Sequence, residues 1–264
     1  MSILLYHSID RNDAHYNVNP EQFAMQMEYL RKNYDVVSLD TILNFIKGGK
    51  DLPKKPVAIT FDDGYYSVYQ NAYPVLRKYR FPAAVFITTG YVQKQMPLNR
   101  IQLRMLGWNE IKEMSNNGVT VGAHTITHPN LEQVDLETAR KEILGSRKEI
   151  EEKIGKDVRY FACPYGKENE EIVNLVRSMG FDYAFGRLSG GFIQKGANHL
   201  ILNRTGVDSS VAFWMFKVKL TKAVDWYQKF EQNASKIVNR FPSLSKVDQL
   251  YNMFSVGKDR SFNS

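Results

Sequence analysis

The sequence lacks the marks of disulfide-bonded and membrane-spanning proteins. It has a single cysteine, Cys163, so it cannot form an intrachain disulfide. No apolar run approaches the roughly 20 residues that span a bilayer, because charges interrupt the longest ones. Residues 1–7 have no positive region before their apolar run, and we interpret them as a first strand rather than a signal peptide. These features favour a cytoplasmic protein.

The sequence also has no Gly/Ser/Pro-rich linker and no internal repeat, and its first 200 residues contain no arginine-rich run. The missing linkers and repeats favour one folded domain, for which 264 residues supply a sizeable core. The missing basic run makes nucleic acid a poor partner. The moderate net charge of +7 favours acidic surfaces or anionic glycan carriers instead.

Apolar segments of strand length alternate with amphipathic segments of helix length along the first 202 residues. This alternation predicts βαβ units and a largely parallel sheet. We expect a closed or nearly closed β/α barrel, in which the chemistry takes place at the carboxyl ends of the strands.

One apolar strand, residues 57–61, runs directly into Asp62, Asp63 and Gly64. Neighbouring side chains on a strand point to opposite faces, so both carboxylates can face one site only where the backbone turns. Two carboxylates held together repel each other unless a cation lies nearby or one takes a proton. Asp-Gly is also typical of an exposed turn. The buried strand before it and the tyrosines after it favour a functional site.

Two of the five histidines lie four residues apart in His124-Thr125-Ile126-Thr127-His128, directly after another predicted strand. Such a pair alone would indicate only a surface coincidence, but with a carboxylate it offers two nitrogens and one oxygen. Three protein ligands and an open position are typical of a catalytic zinc site. Iron, cobalt and nickel accept the same donors. One aspartate then suffices as a ligand, which leaves the other to act as a general base on an activated water.

Three motifs, in order, resemble those of the polysaccharide deacetylase family (NodB type, carbohydrate esterase family four). They are residues 60–64, 124–128 and 159–166, and the resemblance covers about residues 1–205. The opening Tyr6-His7-Ser8-Ile9 is most similar to the branch of the poly-N-acetylglucosamine deacetylases. The resemblance implies a distorted (β/α)7 barrel, which we expect to span residues 1–207. Residues 208–264 have no counterpart in the motifs and are expected to form a helical extension. The resemblance also implies hydrolysis of acetamide or acetyl ester groups on an N-acetylated glycan.

The resemblance implies a role for each matching residue. Asp62 is expected to be the general base, oriented by Arg159, and the backbone N–H of Tyr165 to stabilise the oxyanion. The expected ligands of a divalent metal, Zn²⁺ before Co²⁺, Ni²⁺ or Fe²⁺, are Asp63, His124 and His128. The residues expected to bind the substrate are Tyr65, Pro164 and Tyr165.

The sequence departs from the family pattern in three places. Ala162 stands where many peptidoglycan and chitin deacetylases have a second arginine, and residues 181–192 do not match the fourth motif. The fifth motif, which carries the general acid, is missing. The acid is then His7, His199 or Asp62 itself, although both histidines are interpreted first as structural or solvated. The missing motifs keep open a non-catalytic barrel that binds metal and glycan. An O-acetyl esterase, which would use the same site on an easier leaving group, is the alternative among enzymes.

Beyond the motifs, Arg204 is interpreted as an ion-pair residue at the edge of the core rather than as part of the substrate rim. In the extension, apolar residues recur at helical spacing with lysines beside them. We expect this stripe to pack on the barrel. The alternative is an interfacial helix that brings the protein to a lipid-linked glycan at a membrane. The stripe consists of Phe213, Phe216, Leu220, Val224 and Tyr227.

Overall fold

A computed structural model describes residues 1–12, 14, 16–98, 101–186 and 200–221 of the chain. The strands in these residues are β1 (Ser2–Tyr6), β2 (Ser8–Ile9), β3 (Asn17–Val18), β4 (Asp35–Val36), β5 (Pro56–Phe61), β6 (Ala84–Ile87), β7 (Gln95–Leu98), β8 (Ile101–Arg104), β9 (Thr120–Ala123), β10 (Tyr160–Ala162), β11 (Tyr183–Phe185), β12 (Ile201–Leu202) and β13 (Thr205–Gly206). The α-helices are α1 (Pro20–Asn33), α2 (Leu39–Ile46), α3 (Tyr73–Tyr79), α4 (Trp108–Asn116), α5 (Leu136–Ile154), α6 (Glu170–Ser178) and α7 (Phe213–Lys219).

Nine strands form one sheet, in the order β12-β11-β10-β9-β6-β5-β1-β13 with β4 also beside β5, and every pair in it is parallel. The two ends of this path, β12 and β13, are joined by residues 203 and 204 alone. Three peptide steps span at most about 11 Å, so the edges of the sheet come close together and the sheet curls. The predicted distorted β/α barrel is thus confirmed.

The central strands are buried on both faces, as parallel strands flanked by helices require. Alternate side chains of β5 divide between two apolar clusters: Ala58 belongs to the barrel interior, and Val57 and Ile59 to the layer beneath the helices. Helix α2 packs its apolar face against the interior cluster. Asp62 and Asp63 therefore follow the carboxyl end of a strand, β5, whose side chains are fixed in the core on both faces.

Helix α5 has Asp135 as its N-cap and left-handed Gly155 at its C-cap. The sequence predicted the alternation of strands and helices that the structure shows. It missed the antiparallel hairpin of β7 and β8. None of the described helices is long and apolar enough to cross a membrane.

The described part of the extension packs on the barrel, as predicted. Phe216 and Leu220 are buried, and the ring of Phe213 lies 5.7 Å from that of Tyr29 on α1. Val224 and Tyr227 lie outside the described residues. The division of the chain at residues 207/208 stays a prediction.

Candidate active site

The two adjacent carboxylates lie where β5 ends, beside the end of β1. The N–H of Asp62 donates to the carbonyl oxygen of Tyr6 at 3.0 Å and so extends the ladder between the two strands. The backbone then turns one residue earlier than Gly64 alone would predict, because Asp63 is left-handed at φ 69° and Gly64 follows at φ 85°. Aspartate tolerates this conformation better than most residues. The turn brings both carboxylates to one end of the barrel.

Asp63, His124 and His128 converge on one point. Oδ1 of Asp63 lies 3.3 Å from Nε2 of His124 and 3.3 Å from Nε2 of His128. The three potential ligand atoms all lie within 4.8 Å of one another. Although Oδ1 of Asp63 is buried, it has no hydrogen-bond partner among the described residues. A buried, orphaned carboxylate oxygen facing two imidazole nitrogens fits a divalent cation.

A backbone carbonyl fixes the ring of His124. Its Nδ1 donates to the carbonyl oxygen of Ala162 at 2.8 Å, which leaves Nε2 as the acceptor that faces Asp63. Metal-binding histidines commonly donate their other N–H to such a partner, which sets the tautomer and the ring orientation. The carboxyl end of β10 thus orients a residue that follows β9.

The segment from His124 to His128 is a tight loop. Thr125 and His128 are both left-handed, at φ 67° and 61°. This conformation is strained for a β-branched residue, at a cost of about 1–3 kcal/mol. Within the loop, the N–H of His128 donates to Oγ1 of Thr125 at 3.1 Å, while that hydroxyl faces the carbonyl oxygen of His124.

Arg204 holds Asp62 through a buried bidentate ion pair. Its Nη1 and Nη2 each lie 2.6 Å from one carboxylate oxygen of Asp62, and Arg204 is 1% exposed. The guanidinium lies beside a pair of aromatic rings, 5.4 Å from the centroid of Phe86 and 5.3 Å from that of Phe185. The sequence correctly predicted an ion pair for Arg204, but the pair lies at the centre of the site.

The prediction that Arg159 orients Asp62 is wrong. Arg159 precedes β10 and therefore lies at the amino ends of the parallel strands, whereas Asp62 follows β5 at the carboxyl ends. Its partners are Asp40 at 2.7 Å and Asp182 at 2.5 Å, and its side chain is 44% exposed. Arg159 and Arg204 thus make ion pairs at opposite ends of the barrel.

A family model for polysaccharide deacetylases matches residues 49–184, which include Asp62, Asp63 and both histidines of the cluster. The chain belongs to the polysaccharide deacetylase family. It is 31% identical over 195 residues to the poly-beta-1,6-N-acetyl-D-glucosamine N-deacetylase of Staphylococcus aureus, a match that covers 70% of this chain and 66% of the relative. The chain thus spans just under two thirds of that relative.

Two solved structures share the fold. IcaB from Ammonifex degensii superposes with a TM-score of 0.73 at 27% identity, covering 83% of this chain and 97% of that one. The Streptococcus pyogenes deacetylase PplD superposes with a TM-score of 0.72 at 23% identity, covering 84% and 98%. The second likeness concerns the fold alone.

In this deacetylase-family site, opposite charges determine the pKa values. Burial alone would raise the pKa of Asp62, but the charge of Arg204, with that of His124, outweighs it and holds this pKa below its usual range. Burial is likewise outweighed at Asp63, where His124 and His128 hold the pKa well below its usual range. Both carboxylates are therefore ionised at neutral pH. Burial would lower the pKa of His124, but the two carboxylates raise it.

Of the three residues expected to bind the substrate, Tyr165 alone is exposed, at 61%. Its ring lies against that of His128, with the centroids 4.6 Å apart at an interplanar angle of 68°. Tyr65 and Pro164 are buried. Burial and the charge of Asp63 raise the pKa of Tyr65, whose ring therefore belongs to the wall of the site. Contact of Tyr65 and Pro164 with the substrate stays a prediction.

His7, one of the predicted proton donors, also lies at this end of the barrel. Its ring stacks on that of Tyr16, with the centroids 4.9 Å apart. Burial lowers the pKa of His7, and it is close enough to Asp62 and Asp63 for their charges to oppose that effect. His199 lies outside the described residues.

Proposed function

We propose that this protein hydrolyses the N-acetyl groups of N-acetylhexosamine units in a glycan and releases acetate and a free amine. The proposal rests on one observation above all. An ionised carboxylate, Asp62, is held by a buried arginine directly beside a cluster of one carboxylate and two imidazoles.

Asp63, His124 and His128 are the proposed metal ligands. Two imidazole nitrogens and one carboxylate oxygen, with room for a further ligand, favour Zn²⁺, although Co²⁺, Ni²⁺ and Fe²⁺ share this preference. A divalent cation there would act as a Lewis acid toward the acetyl carbonyl and a neighbouring water.

Asp62 is the proposed general base, and Arg204 is proposed to orient it. A carboxylate has about four lone-pair sites, so the two hydrogen bonds from the guanidinium leave sites free to accept a proton from water. Arg204 also keeps Asp62 ionised despite its burial.

The proposed reaction adds one water across the amide bond. Water loses a proton to Asp62 as its oxygen bonds to the acetyl carbon. The backbone N–H of Tyr165 is proposed to donate to the oxyanion that develops. The C–N bond then breaks, and the amine takes a proton from Asp62 or from His7. The products are acetate and the amine of a hexosamine unit.

We propose β-1,6-linked poly-N-acetylglucosamine as the substrate class. The support is the named activity of the Staphylococcus aureus relative. A lipid-linked sugar remains an alternative carrier. The cytoplasmic location and the contact of the extension with a membrane stay predictions.

The test compares Asp62→Asn with the wild type, both loaded with Zn²⁺, on β-1,6-linked N-acetylglucosamine oligomers. Acetate release should fall by about 10²-fold or more, the effect expected for loss of a general base, while Zn²⁺ affinity is kept. Retained turnover would contradict the assignment. A matched O-acetylated oligomer separates the amidase from the esterase, because an esterase would release acetate from that substrate alone.

A further inference from the structure

The loop that carries His128 is strained, and something outside it must hold it in place. Asp63 and His124 are anchored by strand ends and by the Ala162 carbonyl, whereas His128 lies at the far end of the loop. We propose that Glu142 on α5 is the positioning residue that fixes this loop and so sets the metal affinity of the site. This inference rests on the proposed metal centre.

The carboxylate of Glu142 accepts three hydrogen bonds from the loop. The consecutive N–H groups of Ile126 and Thr127 both donate to Oε2 at 2.8 Å, and the hydroxyl of Thr127 donates to Oε1 at 2.7 Å. Consecutive backbone N–H groups after a left-handed residue, here Thr125, form a concavity that favours an anion. Glu142 supplies that anion, and His128 is the next residue after Thr127.

Two glycines show how closely Ile126, at the centre of the loop, is enclosed. A Cβ atom at Gly145, three residues after Glu142 on the same face of α5, would lie 2.6 Å from Cδ1 of Ile126. A Cβ atom at Gly90 would lie 2.5 Å from the carbonyl oxygen of Ile126. That carbonyl instead accepts the N–H of Gly90 at 2.8 Å.

The loop is therefore held from two sides, by α5 and by the helical turn Thr89–Tyr91. On the α5 side, the hydrogen bonds to the loop are those that the carboxylate of Glu142 accepts. Without this carboxylate, two N–H groups lose their partner, and the strained loop is held only from the side of Thr89–Tyr91. Nε2 of His128 would then no longer be held 3.3 Å from Asp63. Removing a group that orients a metal ligand commonly weakens metal binding about 10- to 100-fold.

The experiment titrates Zn²⁺ into metal-free Glu142→Ala, Glu142→Gln and wild type by calorimetry. Glu142→Ala should bind Zn²⁺ about 10- to 100-fold more weakly. Glu142→Gln should show a smaller loss, because its amide keeps one acceptor oxygen but turns a donor toward the loop. At saturating Co²⁺, the visible absorption bands of both variants should differ from those of the wild type.

Glu151 provides the matched control on the same helix. It also accepts a backbone N–H, from Val158 at 2.9 Å, together with Arg147, but it does not contact the loop. Glu151→Ala should lower thermal stability and leave Zn²⁺ affinity and the Co²⁺ spectrum unchanged. If Glu142→Ala does not fold, the Zn²⁺ affinity and the Co²⁺ spectrum of Glu142→Gln test the inference.

Zn²⁺ affinity and a Co²⁺ spectrum equal to those of the wild type in folded Glu142 variants would overturn the inference. So would an equal loss of affinity in Glu151→Ala. If the wild type itself binds no Zn²⁺, the proposed metal centre fails instead.

Discussion

Replacing Arg204 with methionine is expected to leave Asp62 as an unpaired charge in the core. Arg204 is 1% exposed and Asp62 is 3% exposed, so water cannot take over the role of the guanidinium. Removing one partner of such a buried pair commonly costs about 3–5 kcal/mol of unfolding free energy. The loss should be largest where Asp62 is ionised.

The pH dependence follows from the pKa of Asp62. In the wild type this pKa is lowered, so Asp62 adds stability above its unfolded value of about 3.9, and the gain is lost as pH falls through the folded pKa. In Arg204→Met, burial acts without the arginine and raises the folded pKa. The deficit of the variant should therefore grow as pH rises from about 3.9 to that raised pKa, stay constant above it, and shrink toward about pH 4.

The assay is urea unfolding of the metal-free proteins at about pH 7 and about pH 5. Adding Asp62→Asn to Arg204→Met removes the buried charge and should recover part of the lost stability. A deficit of equal size at both pH values would refute the reasoning. A double variant no more stable than Arg204→Met would do the same.

Three further predictions concern His128 and Tyr165 in the site and Arg159 outside it. Arg159→Ala should leave acetate release unchanged and cost at most about 1 kcal/mol in urea unfolding, because its ion pairs are exposed and at the opposite end of the barrel; a ten-fold loss of turnover would contradict this. His128→Ala should abolish tight Zn²⁺ binding and acetate release together, which calorimetry and the acetate assay would show, and activity without bound metal would rule out its role. Tyr165→Ala should raise KM for the glycan while Zn²⁺ affinity stays unchanged, because its ring is 61% exposed beside His128; an unchanged KM would remove Tyr165 from the substrate surface.

Local patterns in the sequence predicted much of this site. The residues from His124 to His128 follow a strand at fixed spacing, and Asp63 follows another. Because parallel strands end at one edge of the sheet, their convergence could be expected before any coordinates were known. The helix α5 was equally predictable, since an N-cap aspartate and a left-handed glycine mark its ends.

The partner of Asp62 could not be predicted in the same way. Asp62 and Arg204 are 142 residues apart, and they meet only because β13 pairs with β1 when the sheet curls. The resemblance to the family motif favoured Arg159 as the partner of Asp62. Arg159 lies at the amino end of β10, whereas Asp62 follows the carboxyl end of β5, and this difference argued against that pairing. An arginine two residues after an apolar strand that ends at Leu202 was the signal for Arg204.

The hairpin of β7 and β8 was missed for a different reason. β7 contains Pro97, and a proline usually argues against a paired strand. Here the strand has a single partner in the described structure, so an edge position accommodates the proline.

Acetate release from a β-1,6-linked N-acetylglucosamine oligomer by the Zn²⁺-loaded protein is the most direct test of the proposed chemistry. We expect one acetate for each new free amine, loss of release on chelation of the metal, and recovery when Zn²⁺ is returned. Release that continues unchanged after chelation, or no release by protein that binds Zn²⁺, would contradict a metal-dependent deacetylase built on Asp62 and Asp63.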